Sequence, residues 1–127
     1  MEKFKYKYVN YVAALERLNE ALKISNPDDV YVDGVIQRFE FVFELSWKTI
    51  KEYLIYSGYD IVSVGPRGIL KTAFSAGIIE DGEEWIEMME ARNSLSHMYS
   101  FEMSRKIYND IKNKYIVLFD KLKEKLS

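Results

Sequence analysis

Residues 35–54, with the sequence VIQRFEFVFELSWKTIKEYL, give the clearest indication of the fold. Large apolar side chains recur there at steps of three or four residues: Ile36, Phe39, Phe43, Trp47, Ile50 and Leu54. This spacing is typical of one face of an α-helix. Four further apolar residues widen the face: Val35, Phe41, Val42 and Leu45. A helix that is apolar over so much of its circumference is predicted to be the longest and most central element.

The same helix carries a polar row at four-residue steps, formed by Glu40, Glu44, Lys48 and Glu52. Residues at this spacing lie above one another on a helix surface. The row indicates either a solvated face or a face that meets a partner. Carboxylates without a histidine at ligand spacing do not indicate a zinc site.

Helical periodicity also extends on both sides of this stretch. Helix one is predicted over residues 3–24, and Asn26 is predicted to cap the second helix, with Pro27 in its first turn. Gly58 is predicted to end the second helix, and residues 60–64 are predicted to form an extended loop.

Three further boundaries are marked by glycine, proline and serine. Gly65 and Pro66 are predicted to open a short helix that Gly77 closes, and a fourth helix should begin near Asp81. A helix boundary is predicted between Leu95 and Ser100, with Ser100 as the cap of a fifth helix. The apolar stripe of that helix comprises Ile107, Ile111, Tyr115 and Leu118.

These elements predict an all-α, up-and-down bundle of four to five helices. Residues 1–127 are expected to form a single domain, because this length suits one core and no linker interrupts it. Trp47 and Trp85 lie on apolar stripes and are interpreted as core residues. A bundle so rich in aromatic residues could also form a dimer through an exposed apolar face.

Composition excludes several classes of function. The chain has no cysteine, so a disulfide framework or thiolate metal site is excluded, and a reducing, cytoplasmic location is expected. The absence of a long uncharged run argues against a membrane protein. A formal charge of −2 argues against broad non-specific binding to nucleic acids, so any contact with RNA must be local. With one histidine, a two-histidine site requires a second subunit.

Chemically versatile side chains are concentrated in residues 90–99, EARNSLSHMY. On one continuous helix Arg92 and His97 would lie about 140° apart, so they can converge only if the helix ends between them. A guanidinium binds phosphate in bidentate fashion, and an imidazole can move a proton near neutral pH. Together they provide what in-line attack by a ribose 2′-hydroxyl requires, without a metal or cofactor.

A structural interpretation of the same residues is also open. Arg92 could pair with Glu90 or Glu87 on the surface, and His97 could be an ordinary imidazole at a helix end. Spacing alone favours this interpretation, because an arginine followed by a histidine five residues later is a common coincidence.

Resemblance to a known family favours the functional interpretation. Arg92, Asn93, His97 and Tyr99 resemble the Arg-x4-His-x-Tyr motif of HEPN-domain proteins, including the polar residue after the arginine. Residues 39–48, FEFVFELSWK, resemble the signature helix of the nucleotidyltransferase substrate-binding proteins, and so do residues 65–83. The likeness covers roughly residues 35 to 105 in the order of that family.

The resemblance implies a helical homodimer encoded beside a minimal nucleotidyltransferase of the MNT type. In the toxin branch, the arginine and histidine of two protomers meet and cleave RNA without a metal; the matching positions are Arg92 and His97, with Asn93 in support. The motif tyrosine, Tyr99 here, is where the partner attaches AMP to silence the toxin. In the substrate-binding branch the bundle instead presents a substrate to the nucleotidyltransferase. We favour the nuclease because every motif residue is present.

Overall fold

The structure, a computed structural model, describes residues 2–96 and 100–127, and within these ranges it contains helices and no strand. The helices are α1 (Glu2–Ala21), α2 (Asp29–Tyr56), α3 (Pro66–Ser75), α4 (Gly82–Ser94), α5 (Phe101–Asp110) and α6 (Ile116–Leu126). A π-helical turn, Ile111–Tyr115, joins α5 to α6 without a break, so these segments act as one long fifth helix. The predicted all-α bundle is confirmed. None of the described helices is both long and apolar enough to cross a membrane.

Helix α2 is the centre of the bundle, as predicted. With 28 residues it is the longest described helix, and it packs against α1, α3, α4 and α5. Most of its predicted stripe is buried, although Trp47 is only partly so. Phe41 is 61% exposed, so the prediction that it widens the buried face is wrong. It lies about 200° around the helix from the buried Phe39 and therefore points away from the core.

The connection between α1 and α2 differs from the prediction. Helix α1 ends at Ala21, and Asn26 has a backbone φ of 50°, a left-handed conformation that asparagine tolerates. The cap of α2 is Asp28, whose carboxylate accepts a hydrogen bond of 2.8 Å from the backbone N–H of Tyr31. The prediction of Asn26 as the cap is therefore wrong, by two residues.

The predicted stops after α2 and α3 are confirmed. Gly58 has a φ of +100°, and beyond it the N–H of Tyr59 bonds to the C=O of Leu54 at 3.0 Å. This closing pattern satisfies carbonyls at the end of α2, and only glycine adopts such a φ without strain. Gly77, with a φ of +78°, ends α3 in the same way. Ser100 caps α5 as predicted, accepting a 3.2 Å bond from the N–H of Met103.

Two tyrosines of α1 attach it to α6. The hydroxyl of Tyr11 donates to the C=O of Phe119 at 2.6 Å, and that of Tyr8 donates to the C=O of Lys123 at 2.8 Å. Burial raises the pKa of the Tyr11 hydroxyl well above its ordinary value, so it remains a neutral donor. Trp85 of α4 is buried, as predicted, and meets the Phe119 ring edge-on at 5.8 Å. The first and last helices therefore pack directly against each other.

Candidate functional site

Arg92 lies in the last turn of α4 and reaches across to α2. Its Nη2 atom is 2.7 Å from Oε1 of Glu44. Both side chains are 29% exposed, whereas in each other ion pair among the described residues at least one side chain is 47% exposed or more. Shielding from water strengthens attraction between charges. This is therefore the ion pair most able to fix the position of an arginine.

Glu44 is itself held in place by its own helix. Its Oε2 atom accepts a hydrogen bond of 3.2 Å from the indole Nε1–H of Trp47 and lies 3.5 Å from Nζ of Lys48. With Arg92 on Oε1, the carboxylate has three partners on two helices. Such a network fixes the direction in which Arg92 points.

The sequence-based alternative pairing of Arg92 with Glu90 or Glu87 is wrong. Glu90 pairs with Arg67 of α3 at 3.5 Å, and Glu87 accepts from the hydroxyl of Tyr115 at 3.2 Å. Residues two or five positions apart do not face each other on a helix, which explains why Arg92 finds neither. Its partner is Glu44, which belongs to the polar row of α2. Part of that row therefore makes a contact within the chain, in addition to any contact with solvent or a partner.

The other motif residues divide into two groups. Asn93 follows Arg92 on the final turn of α4 and is exposed. His97 and Tyr99 lie outside the described residues, so the convergence of Arg92 with His97 stays a prediction. The predicted boundary that would permit it is confirmed, because α4 ends at Ser94 and α5 begins at Phe101.

The end of α4 is itself well defined. Leu95 follows the helix and is buried, which anchors the chain directly after the last turn. The hydroxyl of Ser94 donates to the C=O of Ala91 at 2.7 Å, and that of Ser96 donates to the C=O of Asn93 at 2.8 Å. These bonds satisfy carbonyls that a helix leaves open at its C-terminus. The turn that carries Arg92 is therefore held from both sides.

Arg92 also lines a groove of about 850 Å³ formed with α1 and α2. Two more arginines line it, Arg17 and Arg38, and sequence analysis singled out neither. The only available signal was their positive charge, which many solvated helix faces share. In the part of the chain that the structure describes, no three histidine or acidic side chains are grouped so that they could hold a metal ion. The chemistry available in the groove is anion binding by guanidinium groups.

The Nε atom of Arg92 is a further feature of the site. It is buried, and no described residue accepts a hydrogen bond from it. A buried polar group without a partner is costly and uncommon, and among the described residues the hydroxyl of Tyr108 is the other case. Glu44 thus satisfies only part of the hydrogen-bonding capacity of this guanidinium.

Comparison with known proteins places this geometry in a family context. A family model described as nucleotidyltransferase substrate binding protein like matches residues 6–127. A Haemophilus influenzae protein named probable ribonuclease HepT is 37% identical over 86 residues, which are 65% of this chain and 59% of that protein. The match therefore spans less than two thirds of the length of that relative.

Two solved structures share this fold over more than nine tenths of the chain. A Thermus thermophilus protein superposes with a TM-score of 0.82 at 28% identity, covering 91% of this chain and 98% of the other. A Haemophilus influenzae protein superposes with a TM-score of 0.83 at 31% identity, covering 94% and 98%. That structure was described as revealing the fold of a substrate binding domain of a nucleotidyltransferase.

The contacts of Glu44 generate a stability prediction. Glu44→Gln removes the charge opposite Arg92 while keeping the size of the side chain, and it should lower the free energy of unfolding by about 1 kcal/mol. Urea denaturation followed by circular dichroism measures this change. Glu20→Gln is the matched control, because the pair of Glu20 with Lys23 is 67% and 73% exposed and its loss should change little. Equal effects of the two substitutions would contradict a special role for Glu44.

Proposed function

The chain belongs to the HEPN-type family of nucleotidyltransferase substrate-binding proteins, and we propose that within it the chain acts as a metal-independent endoribonuclease. The observation that carries the proposal is the position of Arg92. Glu44 holds it at a helix end that is followed, five residues after the arginine, by the one histidine of the chain. The name of the Haemophilus influenzae relative, probable ribonuclease, supports the same class of reaction.

In the proposed reaction a ribose 2′-oxygen attacks the adjacent phosphorus in line with the departing 5′-oxygen. The bond from the 2′-oxygen to phosphorus forms, the bond from phosphorus to the 5′-oxygen breaks, and a cyclic phosphate is left. Arg92 binds the phosphate and stabilises its growing negative charge. One imidazole removes the 2′-hydroxyl proton and another returns a proton to the 5′-oxygen. Asn93, exposed beside Arg92, supplies a further polar contact.

The requirement for two imidazoles leads to a homodimer. Each chain has a single histidine, so an acid and a base of the same kind require two copies of His97. A two-fold axis next to the end of α4 would supply them and would bring two copies of Arg92 together. We therefore propose a composite site shared by two protomers.

The partner is proposed to be a minimal nucleotidyltransferase encoded nearby, and the pair is proposed to act in the cytoplasm as a toxin and its antitoxin. In this step the Tyr99 oxygen would bond to the α-phosphorus of ATP as the bond to the β-phosphate breaks, and pyrophosphate and the hydroxyl proton would be released. The AMP would place a phosphate and a bulky base two residues from His97. A phosphate there could pair with Arg92 and take the place of the RNA phosphate. The modification would thus block the site that performs the cleavage.

A second candidate function is favoured by the description of the related Haemophilus influenzae structure as a substrate binding domain of a nucleotidyltransferase. In this alternative the bundle holds a substrate, and the nucleotidyltransferase performs the chemistry. The groove beside Arg92 would then bind an anionic small molecule instead of RNA.

Cleavage of total RNA in the presence of a chelator separates the two candidates. The parent should cleave, and His97→Ala and Arg92→Lys should each lower the rate by at least about a hundredfold, since each removes a proton carrier or a bidentate phosphate contact. Arg92→Lys is preferable to alanine because it keeps a cation opposite Glu44. Arg67→Ala, at an exposed pair with Glu90, is the control and should cleave like the parent.

Two results of this assay would favour the substrate carrier. One is a parent protein that leaves RNA intact in chelator although it is folded. The other is cleavage by His97→Ala and Arg92→Lys as fast as by the parent, which would point to a contaminating nuclease. Unfolding curves of each variant show whether a loss of activity comes from a loss of structure.

The proposed modification is tested by intact-mass and peptide mass spectrometry after incubation with the nucleotidyltransferase, ATP and magnesium. The parent should gain the mass of AMP on the peptide that contains Tyr99, and the modified protein should lose RNA cleavage. Tyr99→Phe should gain nothing. Tyr6→Phe is the control, because Tyr6 is 69% exposed and remote in sequence from the motif. A mass increase that persists in Tyr99→Phe contradicts the proposal.

A further inference from the structure

The groove beside Arg92 contains two further arginines, Arg17 and Arg38. Arg17 is exposed on α1, and Arg38 of α2 is fixed next to it by a hydrogen bond of 2.8 Å from Nη1 to the C=O of Arg17. Neither forms an ion pair with an acidic side chain of the described residues, whereas Arg92 is paired with Glu44. The remaining carboxylate of the groove is Glu40, so the lining carries a net positive charge on a chain whose total charge is −2.

An exposed aromatic side chain stands in the same groove. Phe41 is 61% exposed, and it lies three residues after Arg38 and three before Glu44 on α2. Residues three apart lie on one side of a helix, so the ring is placed between the guanidinium of Arg38 and the Glu44–Arg92 pair. The exposed ring therefore adds an aromatic face to the charged lining of the groove.

We propose that the groove lined by Arg17, Arg38, Phe41 and Arg92 binds single-stranded RNA, with Phe41 stacking on a base next to the phosphate held at Arg92. This inference rests on the proposed function and extends it by naming the substrate class and the residues outside the motif that hold it. A positive groove combined with an aromatic platform is the arrangement that proteins use for single strands. Base-paired RNA would not offer an unstacked base to the ring.

Apart from the contact between protomers proposed beside Arg92, the charge of the groove favours RNA over a second copy of this chain as its occupant. Five charged side chains line it, namely Arg17, Arg38, Glu40, Glu44 and Arg92. The centres of protein interfaces are depleted of acidic side chains, and this lining has two, Glu40 and Glu44. A polyanion, in contrast, gains from pairing with Arg17 and Arg38, which form no ion pair with a described acidic side chain, and releases its own counterions.

The inference is tested with a fluorescein-labelled, 2′-O-methyl single-stranded RNA, which cannot be cleaved because the attacking hydroxyl is blocked. Fluorescence anisotropy with the full chain should show binding. Phe41→Ala should weaken it about tenfold. Arg38→Ala and Arg17→Ala should each reduce the slope of log affinity against log salt by about one. Glu40→Gln should tighten binding, since it removes a negative charge beside the RNA.

Matched controls come from a second groove between α3 and α4, of about 520 Å³, which holds an exposed phenylalanine, Phe74, and a lysine, Lys71. Phe74→Ala and Lys71→Ala should bind RNA like the parent. No binding by the parent, or losses of equal size in both grooves, would overturn the inference. Sedimentation of the same variants adds a third contrary outcome: if Phe41→Ala weakens binding only by dissociating a dimer, the groove is an interface between copies.

Failure of this inference is distinguishable from failure of the proposed nuclease. If the 2′-O-methyl RNA binds in a way that depends on Phe41 and Arg38 but unmodified RNA is not cleaved, the RNA-binding groove is supported and the nuclease activity is contradicted. If unmodified RNA is cleaved and Phe41→Ala and Arg38→Ala do not change the rate, the nuclease activity is supported and the RNA-binding groove is contradicted.

Discussion

The ion pair between Arg92 and Glu44 connects the two parts of the sequence that resemble the family. Arg92 lies at the end of α4 and Glu44 near the middle of α2, with 2.7 Å between Nη2 and Oε1. An arginine side chain has many rotamers, and ordering it costs conformational free energy before any ligand is bound. Trp47 and Lys48 hold the carboxylate of Glu44 in place. The entropy loss of ordering the Arg92 side chain therefore occurs during folding, and the guanidinium is already oriented when a phosphate binds.

The rest of the bundle holds α2 and α4 in fixed positions relative to each other. Helix α2 is packed on several sides, and the hydroxyls of Tyr8 and Tyr11 attach α1 directly to α6. Trp85 fills the core beneath α4, so the helix that carries Arg92 cannot shift without opening a cavity. The residues exposed around the groove carry little of this packing, which leaves them free to serve binding.

Local signals in the sequence were sufficient for the architecture, because apolar spacing, Gly58 and the Ser100 cap depend on residues close together in the chain. The partner of Arg92 could not be predicted, because it depends on a contact between distant residues. Glu44 as the partner of Arg92 requires knowing that α2 and α4 are neighbours. Two local features were also missed. The cap lies at Asp28 because Asn26 adopts a left-handed conformation before it, and the π-helical turn before α6 gives no periodic pattern in the sequence.

The central claim is that Glu44 orients Arg92 towards a phosphate of RNA, and nitrogen-15 NMR of the Arg92 side chain tests it most directly. The Nε–H of Arg92 is buried in the free protein and should exchange slowly with water, giving a resolved cross-peak that Arg92→Lys removes. Saturation with the non-cleavable RNA should shift this peak, and Glu44→Gln should broaden it and weaken the response. An Arg92 peak that does not move at saturating RNA, while other peaks of the protein do, would contradict the account.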